Sequence, residues 1–235
     1  MPHINSHTEQ YISKLQDTLN YKFKNIDTLK EALTHSSYAN ESKNKKIKYN
    51  ERLEFLGDSV LSLVISEYIF LKYKHLPEGE LTKVRANVVC EASLAAQGRQ
   101  IDIGQYLFLG RGEEFTGGRH RESILADAFE AVIGAIYIDG GIEKAKAFIL
   151  SHFLESIDLA TKGTLFRDYK THLQELLQSK TSQKISYNVV KEHGPDHNKS
   201  FDVEVLIGDK VIGRGSGKSK KEAEQRAAEE AIKRG

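Results

Sequence analysis

Residues 50–59 read NERLEFLGDS, and the spacing of their acids decides how the rest of the chain is interpreted. On a helix turning about 100° per residue, Glu51, Glu54 and Asp58 fall at about 0°, 300° and 340°, a single narrow stripe. Leu53, Leu56 and Val60 point to roughly the opposite face, where they can pack. The stripe has no Lys or Arg at i+4 to offset its own repulsion. A solvated acidic face would explain such a stripe taken alone. Residues 125–138, LADAFEAVIGAIYI, argue against that reading. They are apolar almost all round, the pattern of a buried helix, yet they hold Asp127 and Glu130 within about 60° of each other. No basic residue lies between Ile124 and Gly141. Buried carboxylates need a partner or a metal. Two acidic stripes facing each other make an oxygen-only site for a hard divalent cation. Mg²⁺ suits it, because that ion takes few carboxylates together with waters and substrate phosphate oxygens. Such sites serve phosphodiester hydrolysis by activating water and stabilising the leaving oxygen. No zinc-type His/Cys spacing and no Ser or Cys nucleophile beside a His motif is present. His35, in LTHSSYANE (33–41), is the nearest candidate and reads as a packing or hydrogen-bonding residue.

Outward from these stretches, the first two-thirds of the chain is helical. Tyr11, Ile12, Leu15 and Leu19 recur at helical spacing, as do Leu29, Ala32 and Leu33. The spacing predicts helices over 52–74, 81–97 (with Gly98 at its end), 122–138 and 142–156. The polar run 41–48, ESKNKKIK, is an exposed loop whose charges are solvated. After residue 160 the period changes. A helix over 169–177 is followed by Ile185, Tyr187 and Val189, then Phe201, Val203, Val205 and Ile207, each set alternating with polar residues as half-buried strands do. Gly208-Asp209 turns into a third strand around Val211 and Ile212. A helix over 220–233 carries Ala223, Ala227 and Ala231 four apart. The expected architecture is a mainly α N-terminal domain (5–158), a linker (159–166) and a small α+β domain of order α-β-β-β-α (167–235).

Composition sets the outer limits. The 235 residues are 39% hydrophobic and 29% charged, enough to bury a core, which excludes a fully disordered chain. The net charge of +1 says nothing about partners, and its distribution says little more. Residues 165–235 carry 14 basic and 11 acidic side chains, against 20 and 22 in residues 1–164. The single cysteine, Cys90, excludes an intrachain disulfide and suits a reducing compartment. The N-terminus lacks a signal-peptide apolar run, and the most apolar stretch, 60–71, is too short to span a bilayer. A soluble, cytoplasmic protein is expected.

Three lysines, Lys218, Lys220 and Lys221, stand where the last helix begins. That end is already positive, so they are unfavourable there without an anion. Backbone N–H groups and lysines converging on one helix end form a phosphate site, although a solvated lysine-rich cap is a serious rival. Gln174 and Gln178 lie one turn apart beside Lys170 and Thr171, and the loop HGPDHNKS (193–200) offers His197. Each of these alone is ordinary surface.

Taken together, NERLEFLGDS, LTHSSYANE, PEGELTKVRA (77–86) and RESILADAFEAVIGAIYIDGG (121–141) resemble bacterial ribonuclease III. KTHLQELLQ, GPDH and GKSKKEAEQRAAEEAI resemble, in order, a double-stranded RNA-binding domain. The resemblance covers nearly the whole chain. It implies a Mg²⁺-dependent endoribonuclease, with Mn²⁺ as a substitute. Such an enzyme hydrolyses double-stranded RNA to 5′-phosphate and 3′-hydroxyl ends with short 3′ overhangs, and processes ribosomal RNA precursors and other structured transcripts. It also implies a homodimer whose two sites cut the two strands, Phe55 being the aromatic knob set into the partner. Carried across residue by residue, Glu54, Asp127 and Glu130 match metal-site acids. Asp58 matches the acid that supports the metal and its water; Asp58 and Glu130 are the expected catalytic residues, and Glu130 matches a position among the most critical for cleavage. Glu51 and Glu78 match auxiliary cleft acids. Lys170, Thr171, Gln174, Gln178 and His197 match groups that reach RNA minor grooves. Lys218, Lys220 and Lys221 match contacts to the phosphates between those grooves. The alternative is a non-catalytic double-stranded RNA-binding regulator, but a pure binder gains nothing from paired acids that repel phosphate. A small-molecule phosphohydrolase would leave the RNA-binding domain unexplained.

Overall fold

The structure is a computed structural model that describes residues 6–42, 46–163, 169–178, 185–194 and 199–234. Side chains are described from Tyr11 onward, excepting Thr171, His172, Glu175 and Gln178. The chain forms two compact units, Met1–Leu165 and Phe166–Gly235.

The first unit is helical. Its elements are α1 (Ser6–Thr18), α2 (Ile26–Ala32), α3 (Ser36–Glu41), α4 (Glu51–Lys72), α5 (Glu78–Val88), α6 (Glu91–Gln100), α7 (Ile103–Tyr106), α8 (Arg111–Phe115), α9 (Glu122–Gly140) and α10 (Ile142–Thr161), with a 3₁₀ turn at Gly118–His120. Helix α9 is the core element, with buried residues on every side: Leu125, Ala128, Phe129, Val132, Ile133 and Ile136 are all fully or almost fully covered. Helices α2, α4, α6 and α10 pack around it. The approach of α4 is closest. A Cβ built on Gly57 would overlap the backbone carbonyl oxygen of Glu130, and one on Gly134 would overlap that of Leu53. The two backbones therefore touch where the acidic stripes meet.

Several boundaries differ from the expected ones. The helix expected over 81–97 is two helices, α5 and α6, separated at Val89 and Cys90. The buried stripe Val84, Val88 would continue at 91 and 92, but Glu91 and Ala92 are exposed and burial resumes at Ser93, Leu94 and Ala95. The apolar phase slips, and the helix breaks there. Gly98 does not end a helix. It lies inside α6, where a Cβ would sit 3.1 Å from the Leu125 carbonyl oxygen, so it allows α6 to approach α9. Helix α10 continues past Ser156 to Thr161 because Ile157 and Ala160 extend its buried face. It thus occupies the start of the expected linker, whose residues 164–166 lie outside the described residues.

A buried-edge acid ties the N-terminal segment to the end of α9. Asp139 accepts hydrogen bonds from the Tyr21 hydroxyl (2.8 Å) and from the backbone N–H groups of Lys24 and Asn25 (2.9 Å each). Burial works to raise its pKa, but these donors outweigh it and hold the carboxyl below its ordinary value, while the Tyr21 hydroxyl is pushed up to about 12, mainly by burial. Asp139→Ala removes the charged acceptor of three hydrogen bonds and should cost about 1.5–3 kcal/mol, read as a lower urea midpoint with unchanged slope. A midpoint equal to that of the parent would refute this anchoring role.

The second unit comprises α11 (Tyr169–Gln178), β1 (Ile185–His193), β2 (Ser200–Ile207), β3 (Lys210–Gly217) and α12 (Lys220–Arg234). The sheet is antiparallel in the order β1-β2-β3, and its three strands include the stretches that the alternation and the Gly208-Asp209 turn predict. Val203 and Val205 of β2 are buried with Leu173, Ala223, Ala227, Ala228 and Ala231. Strand β3 is longer than the stretch around Val211, because Gly213, Gly215 and Gly217 carry no strand signal of their own. Their role is steric: a Cβ at any of them would meet α12 within 3.0 Å, so glycines on β3 face alanines on α12. Val189 departs from the alternation. It is 39% exposed at an irregularity in the β1–β2 register. Helix α12 opens on Ser219, whose Oγ accepts from the Glu222 N–H (3.2 Å), while Glu222 accepts from the Lys218 N–H (2.7 Å). This is a variant of the reciprocal capping box.

Candidate metal centre and nucleic-acid interface

Helices α4 and α9 bring their acids together. Glu54, Asp127 and Glu130 are half-buried, and each offers a carboxylate oxygen within 4.8 Å of the others. Three like charges held this closely raise one another's proton affinity. Glu130 is pushed up to about 8, first by burial and then by the charges of Asp58, Glu54 and Asp127. Burial also raises Glu54, with Asp127, Glu51 and Asp58 adding to it. Asp127 is raised by burial and by Glu91, with His35 opposing. Asp58 stands one turn beyond Glu54, accepting a long 3.5 Å hydrogen bond from Ser62. The donor set is entirely carboxylate oxygen, without the sulfur or imidazole ligands of a zinc centre, and it is preassembled by two helices in contact. These features fit a hard divalent cation.

The structure separates the other expected residues. Glu51 borders the cluster and acts on Glu54. Glu78 stands apart from it, at the first position of α5, accepting from the Thr82 hydroxyl (2.9 Å) and lining a groove with Leu63, Phe70 and Arg85. Phe55 is 77% exposed. His35 caps α3, its Nδ1 accepting from the Ser37 N–H (3.2 Å). Glu91 was not singled out by sequence, because it falls at the start of a helix the periodicity did not separate. Gly57 and Gly134 were missed as well, although a glycine inside a strongly apolar helix is a signal of close packing.

In the second unit, Lys218, Lys220 and Lys221 are exposed around the start of α12. Lys220 Nζ lies 3.1 Å from Glu192 and 5.5 Å from the centre of the Phe201 ring. Lys170 Nζ lies 2.7 Å from Glu224 and 4.5 Å from the centre of the Tyr187 ring. Gln174 is exposed on α11. The side chains of Thr171 and Gln178, and all of His197, lie outside the described residues.

A helical unit carrying this acidic cluster, joined to an α-β-β-β-α unit with a lysine-rich helix end, defines a nuclease equipped to hold RNA. Residues 25–157 match the Ribonuclease-III-like family and residues 169–234 the double-stranded RNA binding motif. The chain is 57% identical to Ribonuclease 3 of Caldanaerobacter subterraneus subsp. tengcongensis, over 94% of this chain and 96% of the relative. It is 52% identical to Ribonuclease 3 of Clostridium tetani, over 94% and 93% respectively. Among solved structures, it is similar to a nuclease domain of ribonuclease III from Campylobacter jejuni. That match has a TM-score of 0.56 and 43% identity, and covers 61% of this chain and 99% of that one; the C. jejuni structure is described as showing flexibility in a region involved in dimer formation. The chain belongs to the ribonuclease III family and is a double-strand-specific endoribonuclease. Among the described residues, no helix is long and apolar enough to cross a membrane.

Proposed function

We propose that this endoribonuclease depends on Mg²⁺, for which Mn²⁺ substitutes, and leaves 5′-phosphate and 3′-hydroxyl ends with short 3′ overhangs. The observation that carries this reading is the convergence of Glu54, Asp127 and Glu130 within 4.8 Å. These three would hold the cation. When bound, it supplies Lewis acidity that activates water and neutralises charge on the phosphate. The chain's own contribution is to bury the carboxylates, keep them close against their repulsion and place Asp58 beside them, where it orients solvent. Glu51 borders the same cleft. Glu78, apart from the cluster within one chain, is assigned an auxiliary role.

The enzyme acts as a homodimer in this reading. Phe55, Leu63 and Phe70 lie within about 80° on α4 and are 77%, 61% and 67% exposed, large apolar side chains on one helix face, of the kind that pairing would cover. A twofold dimer presents two identical sites to two antiparallel strands. The expected substrates are ribosomal RNA precursors and other structured transcripts in the cytoplasm. Lys170, Thr171, Gln174, Gln178 and His197 contact the minor grooves of the duplex, and Lys218, Lys220 and Lys221 contact its phosphates.

The test is a long, perfectly paired RNA incubated with Mg²⁺ or with chelator, followed by mapping of the product ends. Staggered cuts bearing 5′-phosphates, present only with the metal, are expected. Tight binding without cleavage in any divalent metal would instead favour the non-catalytic binder. For the lysines, replacing Lys218, Lys220 and Lys221 together with Gln should weaken duplex binding and flatten the plot of log affinity against log salt by about two to three phosphates' worth. An unchanged slope would remove them from the interface.

A further inference from the structure

We propose that Glu192 is an internal competitor for RNA phosphate at Lys220, limiting how tightly the second unit holds a duplex. The inference rests on the reading of Lys220 as a phosphate contact. In the free protein that lysine already has an anion. Glu192 lies at the end of β1 and pairs across the sheet with Phe201 of β2, so carboxylate and ring arrive from neighbouring strands and clasp one ammonium group. Lys170 is held in the same manner, by Glu224 and the Tyr187 ring. Among the described residues, Lys218 and Lys221 make no comparable ion pair. The lysines assigned to RNA thus divide into two that are held by carboxylates and two that are not.

The Lys220–Glu192 pair is half in solvent, with side chains 58% and 45% exposed. An ion pair this exposed is weak, so an arriving phosphate displaces it at small cost. The displaced carboxylate then stays close to the phosphate and repels it. Both effects oppose binding, and both vanish when Glu192 is made neutral. The consequence for the enzyme is release: a binding unit that held the cut duplex as firmly as the intact one would retain its product, and product release sets the turnover of many enzymes. Glu192 is the informative position because it sits on a strand. Glu224 lies on α12 itself, so neutralising it would also change the charge of the helix that carries the lysines.

The experiment measures duplex affinity of the full-length protein in chelator for the parent, Glu192→Gln, Lys220→Gln and the double variant, across a salt series. Glu192→Gln should tighten binding about three- to fivefold, chiefly through slower dissociation, and steepen the salt dependence by up to about one phosphate. Lys220→Gln should weaken binding, and in its background Glu192→Gln should lose most of its effect. Weaker or unchanged binding by Glu192→Gln, with Lys220→Gln still harmful, would overturn the competitor role and leave the phosphate contact standing. Unchanged binding by Lys220→Gln would overturn both.

Discussion

Glu130→Gln is expected to abolish cleavage of duplex RNA, lowering the rate by about a thousandfold or more, while duplex affinity changes less than twofold. The rate loss follows from removing one of three closely set carboxylates from a centre whose chemistry depends on the charge they hold. Affinity is expected to persist because the double-stranded RNA binding motif lies in the second unit. The same substitution should make the metal-free protein more stable, which distinguishes a cost borne for function from a structural contact. Glu130 in the folded chain has its pKa raised from 4.5 to about 8, with burial the largest cause. Between those values the folded state binds a proton that the unfolded state has released. Its stability therefore falls as pH rises through that window and stays low above it. Glutamine has no such dependence. In chelator, the gain in Tm of Glu130→Gln over the parent should grow from pH 5 to pH 8. Adding Mg²⁺ at pH 8 should raise the Tm of the parent and leave the variant nearly unchanged. Parallel pH profiles for the two proteins, read by scanning calorimetry, would contradict the account.

Gly57→Ala or Gly134→Ala should have the largest structural effect. Each added methyl would press against backbone of the facing helix at well under 3.0 Å, a separation that no rotamer change relieves. Overpacking of a core commonly costs about 1–3 kcal/mol and sometimes more. Contact with rigid backbone places these two at or above the upper figure, a large share of a typical domain's stability. The expected readout is a Tm lowered by about 10 °C or a first unit that does not fold. Variants that do fold should lose cleavage, since moving α4 off α9 separates Glu54 from Glu130. Gly79→Ala is the control. Nothing lies within 4 Å of its added Cβ, and it sits in α5, so it should be neutral or slightly stabilising. Equal effects at the three glycines would show that close backbone approach is not what the first two provide.

Much of the site was legible because its signal is a contradiction. Asp127 and Glu130 stand in a helix otherwise apolar enough to be buried, and the absence of a nearby basic residue leaves a cation as the natural partner. Period two in 185–207 and the fourfold-spaced alanines of 220–231 marked the second unit with equal clarity. Other features were not legible because they are properties of tertiary contact. The division at Val89 and Cys90 shows only in which residues are covered. The length of β3 is hidden by glycines that are poor strand formers yet necessary beneath α12. Helices α3, α7 and α8 are too short to show a period. The influence of Glu91 on Asp127 and the clasp of Glu192 on Lys220 join residues far apart along the chain, where no spacing rule reaches.

The central claim is that Glu54, Asp127 and Glu130 form a divalent-cation site. Anomalous diffraction from crystals of the protein soaked in Mn²⁺ tests it most directly. The account predicts an anomalous peak between these three carboxylates, absent from crystals of Glu130→Gln soaked in the same way. No peak there in the parent protein, or an undiminished one in the variant, would contradict it.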